Sequence, residues 1–503
     1  MISQSRRQLL ALGLGGAATA IGGVGLWQGT RIRPGPGTAG TEMVEPEVLA
    51  SRDGLLELDL EAAPAQLPIG NRDVSVLTFN GSLPGPTLRV APGDTIRVRM
   101  HNSLDAPTNL HVHGLHVSPE DNGDNPFISI DPGQSFDYEF ALPDDHPQGT
   151  YWYHPHRHGY VADQLTAGLY GAILVEDREA LPMTRERLMI VSDLSVDASG
   201  NLVEPDRMQQ MMGREGDLVL INGQLRPSLT AAPGDRERWR IINACTSRFL
   251  RLQLDGQRLQ LLSRDLGRLP APQNVSEVVV LPGNRVELLV EAEEGTASLV
   301  AAPVDRGRAA GMMGGGPRGR SGPGEVDPFE LATFSVTGNP VEKLPPVPPA
   351  SALRDLREEP VTERREFDFA MGMGPGGMGP GGMDGGRMGT PGGGGMMTFT
   401  INGQEFAHDR TDAEVRSGTV EEWTLSNSSP MDHPVHLHVW PMQVIEQDGR
   451  AVGEAWWQDV VNVPAFGEVK VLIAFDDFTG RSVFHCHILD HEDLGMMGTV
   501  EAS

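Results

Sequence analysis

At 503 residues the chain is long enough for about three domains, and it carries a formal net charge of −28. That charge argues against a nucleic-acid partner and an anionic membrane surface, and it attracts cations, metal ions included. With two cysteines, Cys245 and Cys486, a disulfide-built scaffold is excluded as well.

The N-terminus reads SRRQLLALGLGGAATAIGG. Arg6-Arg7 followed by a mildly apolar run has the form of a twin-arginine export signal, with Ala18-Thr19-Ala20 as its cleavage site. Six glycines between Leu9 and Trp27 make the run a poor membrane span. A periplasmic or otherwise exported protein without stable membrane insertion is expected. An uncleaved anchor is the alternative. Residues Arg31 to Glu47, rich in Pro and Gly, read as a linker without structure.

A threefold echo follows. LTFNGSLPGPTLRVAPGDTIRVRMHN, LVLINGQLRPSLTAAPGDRERWRIINA and TFTINGQEFAHDRTDAEVRSGTVEEWTLSN each run a strand into an Asn-Gly turn. A further Gly turn then precedes an alternating strand. Copies so far apart are duplicated domains, and short strands with such turns imply all-β Greek-key sandwiches. The expected boundaries are 1–47 signal and linker, 48–178, 179–340, and 341–503 with an insertion at 370–398.

Histidines concentrate in the outer copies. His111 and His113 lie in LHVHGLHV, and His154 and His156 in WYHPHRHG. His433, His436 and His438 lie in MDHPVHLHVW. The second copy has none, and reads as a spacer. A His-x-His pair on a strand shows both imidazoles to one face about 7 Å apart, which suits two neighbouring metal ions. Cys245 has an apolar, strand-like setting and reads as a buried free thiol.

The C-terminal stretch FHCHILDHEDLGMM joins these clusters. Read as a strand, it points His485 and His487 one way and Cys486 the other. One Cys, two His and a Met form the ligand set of a blue-copper site, and this stretch holds Cys486, His491 and Met496. The second His comes from elsewhere. His485 and His487 are left for another centre on the opposite face.

With these four motifs in order, the chain after about residue 50 resembles the multicopper oxidase family, which includes laccases and cuprous oxidases. The resemblance implies three cupredoxin domains and four copper ions. Type 1 copper would take His433, Cys486, His491 and Met496, the Met that follows Gly495. Type 2 copper would take His111 and His436. The type 3 pair would take His113, His154, His156, His438, His485 and His487. Glu492 resembles a proton-relaying carboxylate, and the second catalytic acid is Asp124 or Asp121, with Asp124 preferred. Relatives usually carry Gly after the third motif, where this chain has Val439-Trp440-Pro441.

The stretch from Ala370 to Phe399 holds seven Met among Gly and Pro. Such composition cannot pack a core and reads as a mobile or disordered insertion. Thioethers are soft ligands that select Cu(I), and the insertion resembles the methionine-rich segments of cuprous oxidases. A linker without metal role is the alternative. Candidate substrate residues are Met371, Met373, Met378, Met383, Met388, Met431 and Asp432. The expected function is oxidation of Cu(I), serving copper tolerance, coupled to reduction of O2 to water by a monomer. The alternatives are a laccase for phenols and aromatic amines, and a non-enzymatic copper-binding or envelope scaffold.

Overall fold

In a computed structural model, the chain is described over residues 40–307, 328–350, 353–373 and 397–503. Among the described residues the strands form six sheets. The first two belong together. A four-stranded sheet runs in the order Arg72–Phe79, Leu55–Ile69, Thr95–Asn102, Ser135–Ala141. A five-stranded sheet runs Val48–Ala50, Thr87–Val90, Gly171–Val175, Gly149–His154, His111–His113. Burial alternates along Thr95–Asn102, as a strand with one face on a core requires. Ile96, Val98 and Phe140 from one sheet meet Val90, Tyr151 and Ile173 from the other in one core.

The plan recurs twice, each time as a six-stranded and a five-stranded sheet around a separate core. The chain is therefore all-β, with three cupredoxin-like sandwiches. In the third, the five-stranded sheet runs Ala413–Val415, Met497–Ala502, Gly480–Cys486, His433–Leu437, Val460–Val463. The strands that carry the third and fourth motifs are thus direct neighbours, with His436 opposite His485.

The Asn-Gly turns explain why the copies look alike. Asn80, Asn222 and Asn402 all take positive φ, at 53°, 50° and 52°. Asn tolerates this conformation better than most residues. Each side chain then clamps a neighbouring strand through both ends of its amide. Asn222 accepts from the Ile190 N–H at 2.8 Å and donates to the Leu188 carbonyl at 2.8 Å. Asn80 and Asn402 do the same with Glu61 and Asp59, and with Asp368 and Glu366.

Two expectations need correction. The linker expected through Glu47 is ordered at its end: Met43 is buried in the second sandwich's core, and its N–H bonds Ser228 at 3.0 Å. Burial of one apolar side chain and edge pairing with Ser228 outweigh the Pro/Gly-rich composition. The Met-rich insertion is also narrower than 370–398. Met371–Met373 complete the strand Val361–Met373, which pairs with Met397–Ile401, Met373 opposite Met397. The apolar residues Phe369, Phe399 and Ile401 anchor this hairpin in the third core. The twin-arginine run, Met378, Met383 and Met388 lie outside the described residues.

The sandwiches are tied across their boundaries. Asp493 of the third accepts from Gly159 N and Ala162 N at 2.6 and 2.9 Å, at the start of the helix Val161–Ala167 of the first. Arg285 of the second makes a bidentate pair with Asp459 of the third, at 2.5 and 2.6 Å. No helix among the described residues is long and apolar enough to cross a membrane.

Candidate metal centre

Two groups of metal-binding side chains lie on opposite faces of the strand Gly480–Cys486. On one face Cys486 Sγ lies 3.4 Å from His433 Nδ1 and 3.7 Å from His491 Nδ1. Met496 is wholly buried in the same core, and its carbonyl accepts the Cys486 N–H at 3.1 Å. Burial pushes the Cys486 thiol up.

On the other face eight histidines converge, four from the first sandwich and four from the third. His156 Nε2 and His438 Nε2 lie 3.1 and 3.2 Å from His485 Nε2. His111 Nε2 lies 3.4 Å from His436 Nε2. His111, His113 and His154 offer ligand atoms within 4.8 Å of one another. Rings from the two sandwiches stack across the interface, His111 on His438 at 3.8 Å and His113 on His436 at 3.9 Å. His487 lies 5.1 Å from His113, centroid to centroid. Burial and the neighbouring imidazoles hold the pKa values of His111 and His438 well below the usual histidine value, so these rings are neutral.

Neutral imidazole has one N–H and one bare nitrogen, and the hydrogen-bond partner decides which is which. A carbonyl oxygen only accepts, so it holds the proton. His154 and His436 therefore carry theirs on Nδ1, toward Pro155 O and Asp459 O, each at 2.8 Å. His485 Nδ1 donates to Cys486 O at 3.0 Å, and His491 Nε2 to Met211 O at 3.1 Å. His433 Nε2 donates to Ser429 Oγ at 2.6 Å, whose own proton goes to Asn427 Oδ1. His111 Nδ1 donates to Asp124 at 2.8 Å, and His113 Nε2 to Asp459 at 3.1 Å. In all seven the bare nitrogen is the one turned inward. Buried nitrogens without any hydrogen bond, such as His154 Nε2 and His113 Nδ1, complete the picture. Uncharged lone pairs aimed at common points, in a site sealed from water, fit metal ions, and imidazole with thiolate and thioether fits copper.

The acids divide clearly. Asp124 is buried beside His111 and also accepts from Val112 N at 3.1 Å. Burial pushes its carboxyl up to about 8. Asp121 sits outside, at a turn with φ 48°. Glu492 is wholly buried, 3.3 Å from His485 Nδ1 and 3.5 Å from His156 Nε2, and neither of its oxygens has a hydrogen bond. Burial, with the charge of Asp493, raises its pKa well above the carboxylate range. Met431 is core-buried, and the Asp432 carboxylate is taken up by Asn462 and Ala465 N. Val439 is held at φ 65° between the third motif and Trp440. A β-branched residue there is strained.

Asp459, Arg285 and Ser429 went unnoticed in the sequence. Each acts through a contact between distant segments, and no spacing announces it. The histidine-free second sandwich does more than space its neighbours. Besides Arg285, it places Gly283 at φ 87° against His487, where a Cβ would lie 2.8 Å from Nε2.

Three family models, each described as multicopper oxidase, match residues 63–180, 188–307 and 386–503. The chain is 26% identical over 478 residues to the multicopper oxidase mco of Staphylococcus haemolyticus, covering 92% of each chain. It is 28% identical to the cell division protein FtsP of Shigella dysenteriae, over 90% of this chain and 91% of that one. A solved multicopper oxidase from Campylobacter jejuni, described as a metallo-oxidase, superposes with a TM-score of 0.77 at 29% identity, over 92% of this chain and 96% of the other. The chain belongs to the multicopper oxidase family, and is a copper oxidoreductase that uses four copper ions and O2.

Proposed function

We propose that His433, Cys486, His491 and Met496 hold type 1 copper, that His111 and His436 hold type 2, and that His113, His154, His156, His438, His485 and His487 hold the type 3 pair. The placement of Cys486 between His485 and His487, on the opposite face of one strand, supports this reading. Bound copper supplies the one-electron storage and the four-electron reduction of O2 to water. The chain supplies the path: a few covalent bonds of the Cys486 backbone join the thiolate to both flanking imidazoles. Glu492 lies against His485 and His156, and serves as proton donor on the O2 side, with Asp124 orienting His111. The domain boundaries follow the three cores, near 48–178, 179–340 and 341–503. Export through the twin-arginine route suits a metalloenzyme that folds before it crosses.

The donor we favour is Cu(I), in a copper-tolerance role. One observation supports it: His491 is 0% exposed. The Phe399 ring stacks on it at 4.5 Å and the Met211 carbonyl closes its outer nitrogen. No face of this imidazole is open to an aromatic substrate. Met211, Met371 and Met397 pack around the same core. The test is oxygen uptake by copper-loaded protein with Cu(I) or a methoxyphenol, each beside a chelated control. A far larger kcat/KM for Cu(I) supports the reading. Strong phenol turnover without free copper makes the protein a laccase. No uptake with any donor leaves the scaffold reading, the one the similarity to FtsP keeps in play.

A further inference from the structure

The Cys486 pocket takes its four candidate ligands from the third sandwich, yet its rim is shared with the second. Beyond the strand Gly295–Ala302 the chain leaves the second sandwich and crosses the motif that carries His433. There the Asp432 N–H donates to the Arg306 carbonyl at 2.8 Å. Gly307, at φ 80°, lies so close that a Cβ would meet the Pro430 carbonyl and Ala465, both at 2.7 Å. The Arg306 side chain turns toward the other side of the pocket. Its Nη1 donates to Ser247 O at 2.8 Å. The neighbouring Thr246 carbonyl accepts the Leu489 N–H at 3.1 Å, inside the loop between Cys486 and His491. One residue of the second sandwich thus braces the His433 arm directly and the His491 arm through a neighbour.

Arg306 also ends a row of charges. Buried Asp193 accepts from Arg248 Nε at 2.7 Å, Arg248 Nη1 lies 3.0 Å from Glu215 Oε2, and Glu215 Oε1 lies 2.9 Å from Arg306 Nη2. The signs alternate, and the positive end is the one at the Cys486 pocket. The Arg306 guanidinium is only 18% exposed and lies over the Phe249 ring at 5.4 Å, so water screens its charge poorly. Burial raises the pKa of Cys486 and lowers that of His491, and both groups also feel the charge of Arg306, which favours the thiolate and the neutral imidazole. Glu492 bears on Cys486 as well, but burial holds it toward its neutral acid.

We propose that Arg306 is a positioning residue that sets the reduction potential of the copper held at the Cys486 pocket, with Glu215 as its counterweight. The inference rests on the assignment of His433, Cys486, His491 and Met496 to type 1 copper. Accepting one electron lowers the net charge of the pocket by one, and a fixed cation nearby favours that state. Arg306 therefore raises the potential. Glu215, one step further out in the row, lowers it by a smaller amount.

The test is spectroelectrochemical titration of the blue band in copper-loaded wild type and three variants, with thermal unfolding of each beside it. In Arg306→Met the equilibrium constant for reduction should fall about tenfold, a shift of about 59 mV for one electron. Arg306→Lys keeps the charge but loses the guanidinium fork, and should stay within about threefold of wild type. Glu215→Gln leaves Arg248 its partner Asp193, and should raise the constant about threefold. Opposite signs from the two halves of one ion pair separate charge from damage, since loosened packing moves both variants the same way. Glu215→Gln also covers the case where Arg306→Met folds poorly, which the unfolding midpoint reveals. Equal potentials in all four proteins, or shifts of one sign in Arg306→Met and Glu215→Gln, would overturn the inference and leave the copper assignment standing. A copper-loaded wild type without a blue band would overturn the assignment, and the inference with it.

Discussion

The Cys486 pocket and the eight-histidine cluster share one strand but are assembled on different plans. The pocket draws His433, Cys486, His491 and Met496 from a single sandwich. The cluster draws His111, His113, His154 and His156 from the first and the other four from the third. Its geometry is only as good as the docking between sandwiches, and that docking is carried by buried charge pairs such as Arg285–Asp459. The pocket should therefore mature with its own domain, while the cluster reports on the assembly of the whole chain.

The largest effect that would sharpen this contrast comes from Cys486→Ser. Donor turnover should fall by at least about a thousandfold and the blue band should vanish. Copper analysis and electron paramagnetic resonance should still find the cluster loaded. Parallel loss of cluster copper would show that the two regions are not independent. Arg285→Gln probes the converse. It strips the partner from a buried carboxylate, a change that costs about 3–5 kcal/mol. Cluster copper should drop and thermal stability fall, with the blue band of the pocket retained. A variant that kept its cluster copper would break the claim that the second sandwich holds the interface.

Glu492→Gln leaves packing nearly unchanged and removes a proton donor. Reoxidation of the reduced protein by O2 should slow about a hundredfold, while reduction of the blue band by donor keeps its rate. Stopped-flow spectroscopy separates the two. Ser429→Ala is the mildest. It removes the acceptor that orients His433, and copper affinity of the pocket should weaken about tenfold, with cluster affinity unchanged. Competition with a chelator reads both.

The residues that cluster in the two groups were legible because local spacing carries them: His-x-His on a strand, and Cys486 between two histidines. The sandwiches were legible for a similar reason, since the Asn-Gly turns at Asn80, Asn222 and Asn402 lie beside alternating strands. Asp459 and Arg285 were not, because their meaning exists only once residues 174 positions apart in sequence come together. Asp124 was preferred to Asp121 only on resemblance, because the fold of the loop between them, not its composition, turns one inward. Met371 and Met373 were read as part of a coreless stretch because Gly and Pro nearby masked the pairing of Met373 with Met397. Met43 was hidden the same way.

The contact between His156 and His485 joins positions 329 residues apart. A ribosome adding roughly 5–20 residues per second needs about 15–65 s to make the second after the first. Throughout that interval the first sandwich presents four imidazoles with no counterpart. A nascent chain is therefore a half-built chelator, open to any divalent ion in its surroundings. Correct metallation has to wait for the last segment to dock, so the order of synthesis itself makes copper insertion a late event.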